Sequence, residues 1–283
     1  MNLFQKIVPN ESTIVAALDI GTKVVKILVF KKVSGETFDI IGYKHCSSEG
    51  IEKASVFDPR KAYKMIHTLL SEVEVYYEVK ISKAILSLSG KHLSGFSTSG
   101  SANVASMDGF VRDVDMDRAI NDASGKELPD GRVYVYQSPT SITLDGRRVA
   151  SPLNCHGHKV EVDHWSVHMD ESVLQTYIQL INGYSVEVCG LSLSSLSSAY
   201  ALTTEQERKA GVLVIDIGAG TTDYSLFSQG WLMQTGCIAV GGDHITNDLA
   251  MGLRISVDQA EQLKLKYGSA VVNGGPIMQR VAE

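Results

Sequence analysis

Two stretches of this chain repeat each other. Ala17 to Phe30 reads "ALDIGTKVVKILVF" and Val214 to Phe227 reads "VIDIGAGTTDYSLF". With Asp19 set over Asp216, 197 residues apart, Ile20, Gly21 and Phe30 fall over Ile217, Gly218 and Phe227. That spacing is too long for a solenoid period and suits the two halves of a duplicated fold. Each copy reads as an apolar strand, a tight glycine turn and a second strand. The apolar run around Asp216 predicts a buried central strand. An acid inside such a strand is costly unless it sits at the strand end, facing a cation or its waters. Glycine after the acid permits a positive-φ turn and removes the Cβ that would block a close ligand. Backbone N–H groups at such a turn form a nest for phosphate oxygens, and the hydroxyls of Thr22, Thr221 and Thr222 add donors. Two unrelated hairpins would explain one copy, but not an acid at the same place in both.

The chain has 283 residues, 44% hydrophobic and 20% charged, with a formal charge of −6. This is room for two domains or one elaborate one, with a core that needs no covalent staples. The acidic balance disfavours a general nucleic-acid role. Cys46, Cys155, Cys189 and Cys237 form no C-x-x-C pair, which suits a reducing cytoplasm. The N-terminus "MNLFQKIVPNES" lacks a signal-peptide core, and no charge-free apolar run reaches membrane-span length.

A third glycine turn, "VGGDHITNDLAMGL", puts Gly241, Gly242 and Asp243 before a helix whose expected apolar face is Ile245, Leu249 and Leu253. A helix N-terminus after two glycines is a phosphate site by its free amides. Ser256 and Gln259 predict a capping box, with Val257, Ala260, Leu263 and Tyr267 as the buried stripe and Gly268 closing the helix. Glu261 and Lys264 sit at i, i+3 beside that stripe, either as a solvent ion pair or as holders of a ribose and base. Asp58-Pro59 opens another helix, with Ala62, Met65, Ile66, Leu69 and Val73 on one face. Asp170 to Ile181 reads as a further amphipathic helix stopped by Gly183.

These residues resemble the actin-like ATPase superfamily and, within it, the FtsA family of bacterial cell-division proteins. "GVLVIDIGAGTTDYSLFSQG", "VGGDHITNDLA" and "AEQLKLKYGSA" carry the likeness, from about Ile14 to Ala270. Between the loops, "SLSGKHLSGFSTSGSANVAS", "VRDVDMDRAINDAS" and "GRVYVYQSPTSITLDG" are similar to the SHS2 domain inserted in FtsA. The resemblance implies an α/β, actin-like (duplicated ribonuclease-H-like) two-lobed fold with an inserted small α/β domain. Its expected layout is a tail at 1–11, a first-lobe core at 12–83 plus 169–209, the insert at 84–168 and an incomplete second lobe at 210–283.

The resemblance further implies ATP bound with magnesium (Mg2+). The nucleotide would be held by Asp19, Gly21, Thr22, Lys23, Asp216, Gly218, Ala219, Gly220, Thr221, Thr222, Gly241, Gly242, Asp243, Glu261 and Lys264, and the metal, through water, by Asp19 and Asp216. Implied partners are the FtsZ C-terminal tail, further copies of the chain in filaments, other divisome proteins through the insert, and the membrane surface through a C-terminal amphipathic helix. The implied place is the inner face of the cell membrane at the division site.

The chain departs from the family pattern in several places. Ala219 replaces the middle glycine of Gly-Gly-Gly, tolerable unless its φ is positive. The first loop, Asp19 to Lys26, is closer in spacing to PilM, the FtsA-like protein of type IV pilus machinery. Lys23 stands open between a phosphate contact and a strand face, while Lys26 reads as a strand-face lysine. Ser194 and Ser195 stand where filament-forming relatives carry an acid that positions water, so hydrolysis is expected to be slow or absent. The ending "GGPIMQRVAE" falls inside an apparent helix, and relatives of this kind continue for roughly a hundred residues more. His156, His158, His164 and His168 would share a face on one strand, and read as a polar strand edge at a domain junction rather than a metal site. The alternative functions are a PilM-like pilus-assembly adaptor and a sugar-kinase-like enzyme, the latter opposed by the insert.

Overall fold

The computed structural model describes residues 13–34 and 37–270. The expected tail at 1–11 and the ending after Ala270 lie outside the described residues. In chain order the elements are β1 (Ile14–Ile20), β2 (Val24–Ser34), β3 (Thr37–Ser47), β4 (Ile51–Glu52), β5 (Ser55–Val56) and α1 (Pro59–Tyr77). Then come β6 (Lys83–Leu88), β7 (Leu93–Asn103), α2 (Asp113–Ser124), β8 (Arg132–Leu144), β9 (Arg147–Arg148), β10 (Lys159–Asp170) and α3 (Glu171–Asn182). The last are β11 (Glu187–Leu193), α4 (Ser194–Leu202), α5 (Glu205–Ala210), β12 (Val212–Ile217), β13 (Thr222–Ser228), β14 (Trp231–Ile238), α6 (Gly242–Leu253) and α7 (Val257–Tyr267).

The first lobe is a five-stranded sheet in the order β11-β6-β1-β2-β3. β1, β2 and β3 form an antiparallel meander, while β6 runs parallel to β1 and β11 parallel to β6. α1 starts where Pro59 follows Asp58, whose carboxylate accepts from the Arg60 and Lys61 amides. Its buried row Ala62, Met65, Ile66, Leu69, Leu70 and Val73 joins Leu18, Ile27 and Leu86 in the main core. β6 pairs with β1 and β11 in the lobe sheet, although its residues after Lys83 fall in the range 84–168 expected for the insert. The insert's own sheet, β7-β10-β8-β9, starts at Leu93 and carries α2 on one face.

The repeat is a true structural register. Asp19 pairs with Lys26 and Val15 with Phe30 across β1–β2; Asp216 pairs with Asp223 and Val212 with Phe227 across β12–β13. Every pair keeps the same offset. Even the turns match: the Gly21 amide donates to the Val24 carbonyl at 3.2 Å and the Gly218 amide to the Thr221 carbonyl at 2.8 Å. Neither glycine has a positive φ. They are small because a Cβ would stand 2.7 Å from the Val24 oxygen in one turn and 3.1 Å from the Thr221 oxygen in the other.

The two halves differ in what covers them. β12 is not buried: Leu213, Ile215 and Ile217 are 53%, 55% and 71% exposed, whereas their counterparts Ala16, Leu18 and Ile20 are 6% or less. β1 is flanked by β6 and packed in the core with α1; β12 is an edge strand, and nothing among the described residues covers this face. The expected stripes of the last two helices are also corrected. Ile245, Leu253, Val257 and Tyr267 are exposed, and the helices meet through the buried Thr246, Ala250 and Ala260. Small residues allow that close approach and leave the larger apolar ones on the outside.

Candidate nucleotide site

The two glycine turns open onto one cleft of about 290 Å³ between the lobes. Asp19, Gly21, Thr22 and Lys23 line it from the first lobe, and Asp216, Gly218, Ala219 and Thr221 from the second. Asp216 is exposed at its strand end rather than buried within the sheet, so the expected penalty for an acid in a buried strand does not arise.

Each cleft carboxylate has a serine beside it. Ser194 Oγ lies 3.4 Å from Asp19 Oδ1, Ser198 Oγ donates to Asp216 Oδ2 at 2.7 Å, and Ser89 Oγ donates to Asp223 Oδ2 at 2.7 Å. Lys26 Nζ is 3.4 Å from Asp19 Oδ2. Lys26, read as a strand-face lysine, stands opposite Asp19 on β2 and lines the cleft. Asp223 is 7% exposed, and burial pushes its carboxyl pKa up, partly offset by the Ser89 bond. Sequence reasoning missed Ser89, Ser198 and Asp223. The repeat held the signal for Asp223, which occupies the counterpart position of Lys26, with the charge reversed.

Several residues expected at the phosphate do other work. Gly220 packs on the first loop: a Cβ there would meet Thr22 Oγ1 at 2.7 Å and Lys53 Cα at 3.0 Å. Thr22 Oγ1 accepts from the Ala54 amide, and Thr222 Oγ1 donates to the Val240 carbonyl. The first amides of α6 are spent within the protein, Gly242 donating to the Gly218 carbonyl and Asp243 to the Ala219 carbonyl, both at 2.9 Å. The Gly241-Gly242 pair therefore clamps the second loop instead of offering an open anion site. A Cβ at Gly241 would stand 2.5 Å from both of those carbonyl oxygens.

Glu261 and Lys264 belong to a network across the cleft. Glu261 accepts from Lys23 at 2.5 Å, from Lys264 at 2.6 Å and from Thr246 at 2.5 Å. These donors, Lys23 first, hold its carboxyl down at about 2. Lys264 also donates to the Gly242 carbonyl and to Thr246. Lys23 thus joins the first glycine turn to α7 in the second lobe.

Among the described residues no three His, Cys, Asp or Glu side chains gather as a metal site. Two separate carboxylates, hydroxyls and room for phosphate are the donor set expected for magnesium, which keeps most of its waters and is carried by the phosphates. The histidines do not form a shared face. β10 begins only at Lys159; His156 bridges to Phe110, His164 is buried, and His168 accepts from Arg132 Nε at 2.8 Å. No helix among the described residues is long and apolar enough to cross a membrane.

With the geometry in place, likeness to known proteins is informative. A family model for the cell division protein FtsA matches residues 213–278, and one for the SHS2 domain inserted in FtsA matches residues 90–168. The cell division protein FtsA of Bacillus subtilis is 28% identical over 92% of this chain and 59% of its own length. That of Pseudomonas aeruginosa is 28% identical over 91% of this chain and 61% of its own. The chain thus spans about three fifths of these relatives. Among solved structures, the PilM-PilN type IV pilus biogenesis complex superposes with a TM-score of 0.66 at 17% identity, covering 92% of this chain and 71% of that one, a likeness of fold alone. On an actin-like fold, the matches to FtsA at 213–278 and to its SHS2 insert at 90–168, with FtsA relatives aligned along more than nine-tenths of the chain, identify it as a member of the FtsA family.

Proposed function

We propose that the chain is the nucleotide-binding part of an actin-like cell-division adaptor. ATP lies between the two glycine turns, filaments form from successive copies, and the assembly links FtsZ, through its C-terminal tail, to the membrane. The insert is the surface offered to other divisome proteins. Membrane contact is made through an amphipathic helix lying on the surface. The observation that carries the reading is the convergence of Asp19 with Gly21 and Asp216 with Gly218 on one cleft.

Magnesium bound with the nucleotide would neutralise phosphate charge beside Asp19 and Asp216. The chain's own residues position rather than react. The Gly21 and Gly218 amides are already bonded within their turns, so Thr22, Ala219 and Thr221 along the cleft would face the phosphates, and Lys23 and Lys26 would supply positive charge. Ser194 is a hydroxyl bonded to Ser87 at 2.8 Å, and a hydroxyl does not take a proton from water at neutral pH as a carboxylate does. Hydrolysis is accordingly slow or absent, and the nucleotide serves as a structural and assembly switch.

The test is binding of a fluorescent ATP analogue with magnesium, with Asp216→Ala as the control. Saturable binding lost in the variant supports the reading; binding that ignores Asp216 counts against it. Fast phosphate release abolished by Asp216→Ala would refute the claim of slow hydrolysis. A second reading, a PilM-like pilus adaptor, draws on the spacing of Asp19, Lys23 and Lys26 in the first loop. Capture of an FtsZ C-terminal peptide by a full-length protein containing this chain separates the two, since failure to bind removes the division reading.

A further inference from the structure

β3 is the outer strand of the first-lobe sheet, paired with β2 on one side and with no strand on the other among the described residues. It has eleven residues and no proline. Such an edge offers unpaired N–H and C=O groups to any further strand. One side chain interrupts that offer. The hydroxyl of Tyr77, the last residue of α1, accepts from the Tyr43 N–H at 3.2 Å and donates to the Tyr43 carbonyl at 3.0 Å. Exchanging both bonds with one residue is what an opposing residue does in an antiparallel ladder. Gly42 makes room for this, because a Cβ there would overlap the Tyr77 ring. The insert closes part of its own β7 edge in a similar way, with Asp122 accepting from the Ser101 amide at 2.9 Å and Arg118 donating to the Asn103 carbonyl at 2.7 Å. There the caps are charged. On β3 the cap is one neutral hydroxyl, whose bonds are worth little once water competes for them.

We propose that β3 is a self-pairing edge held shut by Tyr77. When the phenol swings aside, β3 of a second copy adds to it antiparallel and joins two five-stranded sheets. The occupant follows from charge and side-chain order. Asp39 lies towards one end of β3 and Lys44 and His45 towards the other, with Ile40, 70% exposed, and Tyr43, 50% exposed, between them. Two antiparallel copies set Asp39 of each against Lys44 and His45 of the other, and bring Ile40 and Tyr43 together across the pair. Parallel copies in register would oppose Asp39 to Asp39 and Lys44 to Lys44, and like charges directly opposite destabilise. Lys44 also pairs with Glu72 of α1 at 2.5 Å, an exposed ion pair that does not commit its charge. The same patch serves on both copies, so the contact closes as a two-fold pair. Every residue involved belongs to the first lobe, and the pairing requires no nucleotide.

The experiment is sedimentation velocity over a range of protein concentrations, without nucleotide. It compares the wild-type chain, Tyr77→Phe, and Tyr77→Phe combined with either Ile40→Lys or Asp39→Lys, with circular dichroism confirming that each is folded. Tyr77→Phe is expected to pair about tenfold more tightly than wild type, the factor for one to two net hydrogen bonds that pairing no longer has to break. Ile40→Lys puts a charge on the edge and should return association to the wild-type level. Asp39→Lys should weaken it by setting like charges against Lys44 and His45 of the second copy. Association through any other surface is common to all of these chains and drops out of the comparison. Unchanged association in Tyr77→Phe overturns the cap. Tighter association that survives Ile40→Lys is not made through β3 and overturns it equally. Tighter association that survives Asp39→Lys overturns the antiparallel pairing of two copies. Where Tyr77→Phe is not folded, Gly42→Ala is measured instead, since its Cβ displaces the ring from the edge, and unchanged association in it also overturns the cap.

Discussion

Asp216 and Asp223 are cross-strand partners on β12 and β13, at the place where Asp19 and Lys26 are partners on β1 and β2. One half of the repeat sets an acid against a base; the other sets two acids side by side. Burial and the nearby Asp216 charge both push the Asp223 carboxyl pKa up. Asp223→Asn keeps an acceptor for Ser89 and removes the opposed charge. It is expected to stabilise the fold by on the order of 1 kcal/mol at neutral pH. A raised carboxyl pKa penalises the folded state above it, so the gain over wild type shrinks as pH falls towards the ordinary value of 3.8. Denaturant melts at pH 7.5 and 4.5 measure it.

The glycines of the second loop are not equivalent. Gly220→Ala forces a Cβ onto the Lys53 backbone and Thr22 and should cost about 1–3 kcal/mol, the range for overpacking. Ala219→Gly should change stability by less than about 1 kcal/mol, because Ala219 does not have a positive φ and nothing is relieved. Thermal melts of the two variants side by side check the contrast.

His164 is 3% exposed with neither ring nitrogen bonded among the described residues, and burial lowers its pKa from 6.5. The unfolded chain takes up a proton below 6.5 that the folded chain resists. Stability contributed by the neutral ring is therefore present above 6.5 and lost as pH falls from there to the lowered folded value. Urea denaturation at pH 7.5 and 5.5 should show this loss, and His164→Leu should reduce it.

The insert is fastened to the second lobe by a buried bond from Trp165 Nε1 to Thr235 Oγ1 at 3.1 Å. Thr235→Val keeps the shape and strands the indole N–H, at an expected cost of about 1–3 kcal/mol. Tryptophan fluorescence and melting temperature report it. No change in either measurement would show that the bond does not hold the insert in place.

Much of the site was legible because its causes are local. Strand–glycine–strand pattern, the offset between copies and the helix caps at Asp58 and Ser256 are written in adjacent residues, and all appear in the fold. Ser89 and Ser198 were not legible as site residues, because a serine gains its role only from the carboxylate that the fold brings to it. The burial of β12 and the stripes of α6 and α7 were misread for a related reason: apolar periodicity states which face can be buried, whereas burial itself depends on what is packed against it.

The sequence by itself determined the duplication, the two acid–glycine turns and the inserted domain, since periodicity, turn chemistry and spacing act within a few residues. Only the tertiary structure decided that Gly241 and Gly242 clamp the second loop, that Lys26 turns to Asp19, and that Lys23 reaches Glu261 from 238 residues away. Such pairings depend on where two distant loops and a helix end meet in space, and hydrogen-bonding and charge then select among the donors and acceptors that meet there.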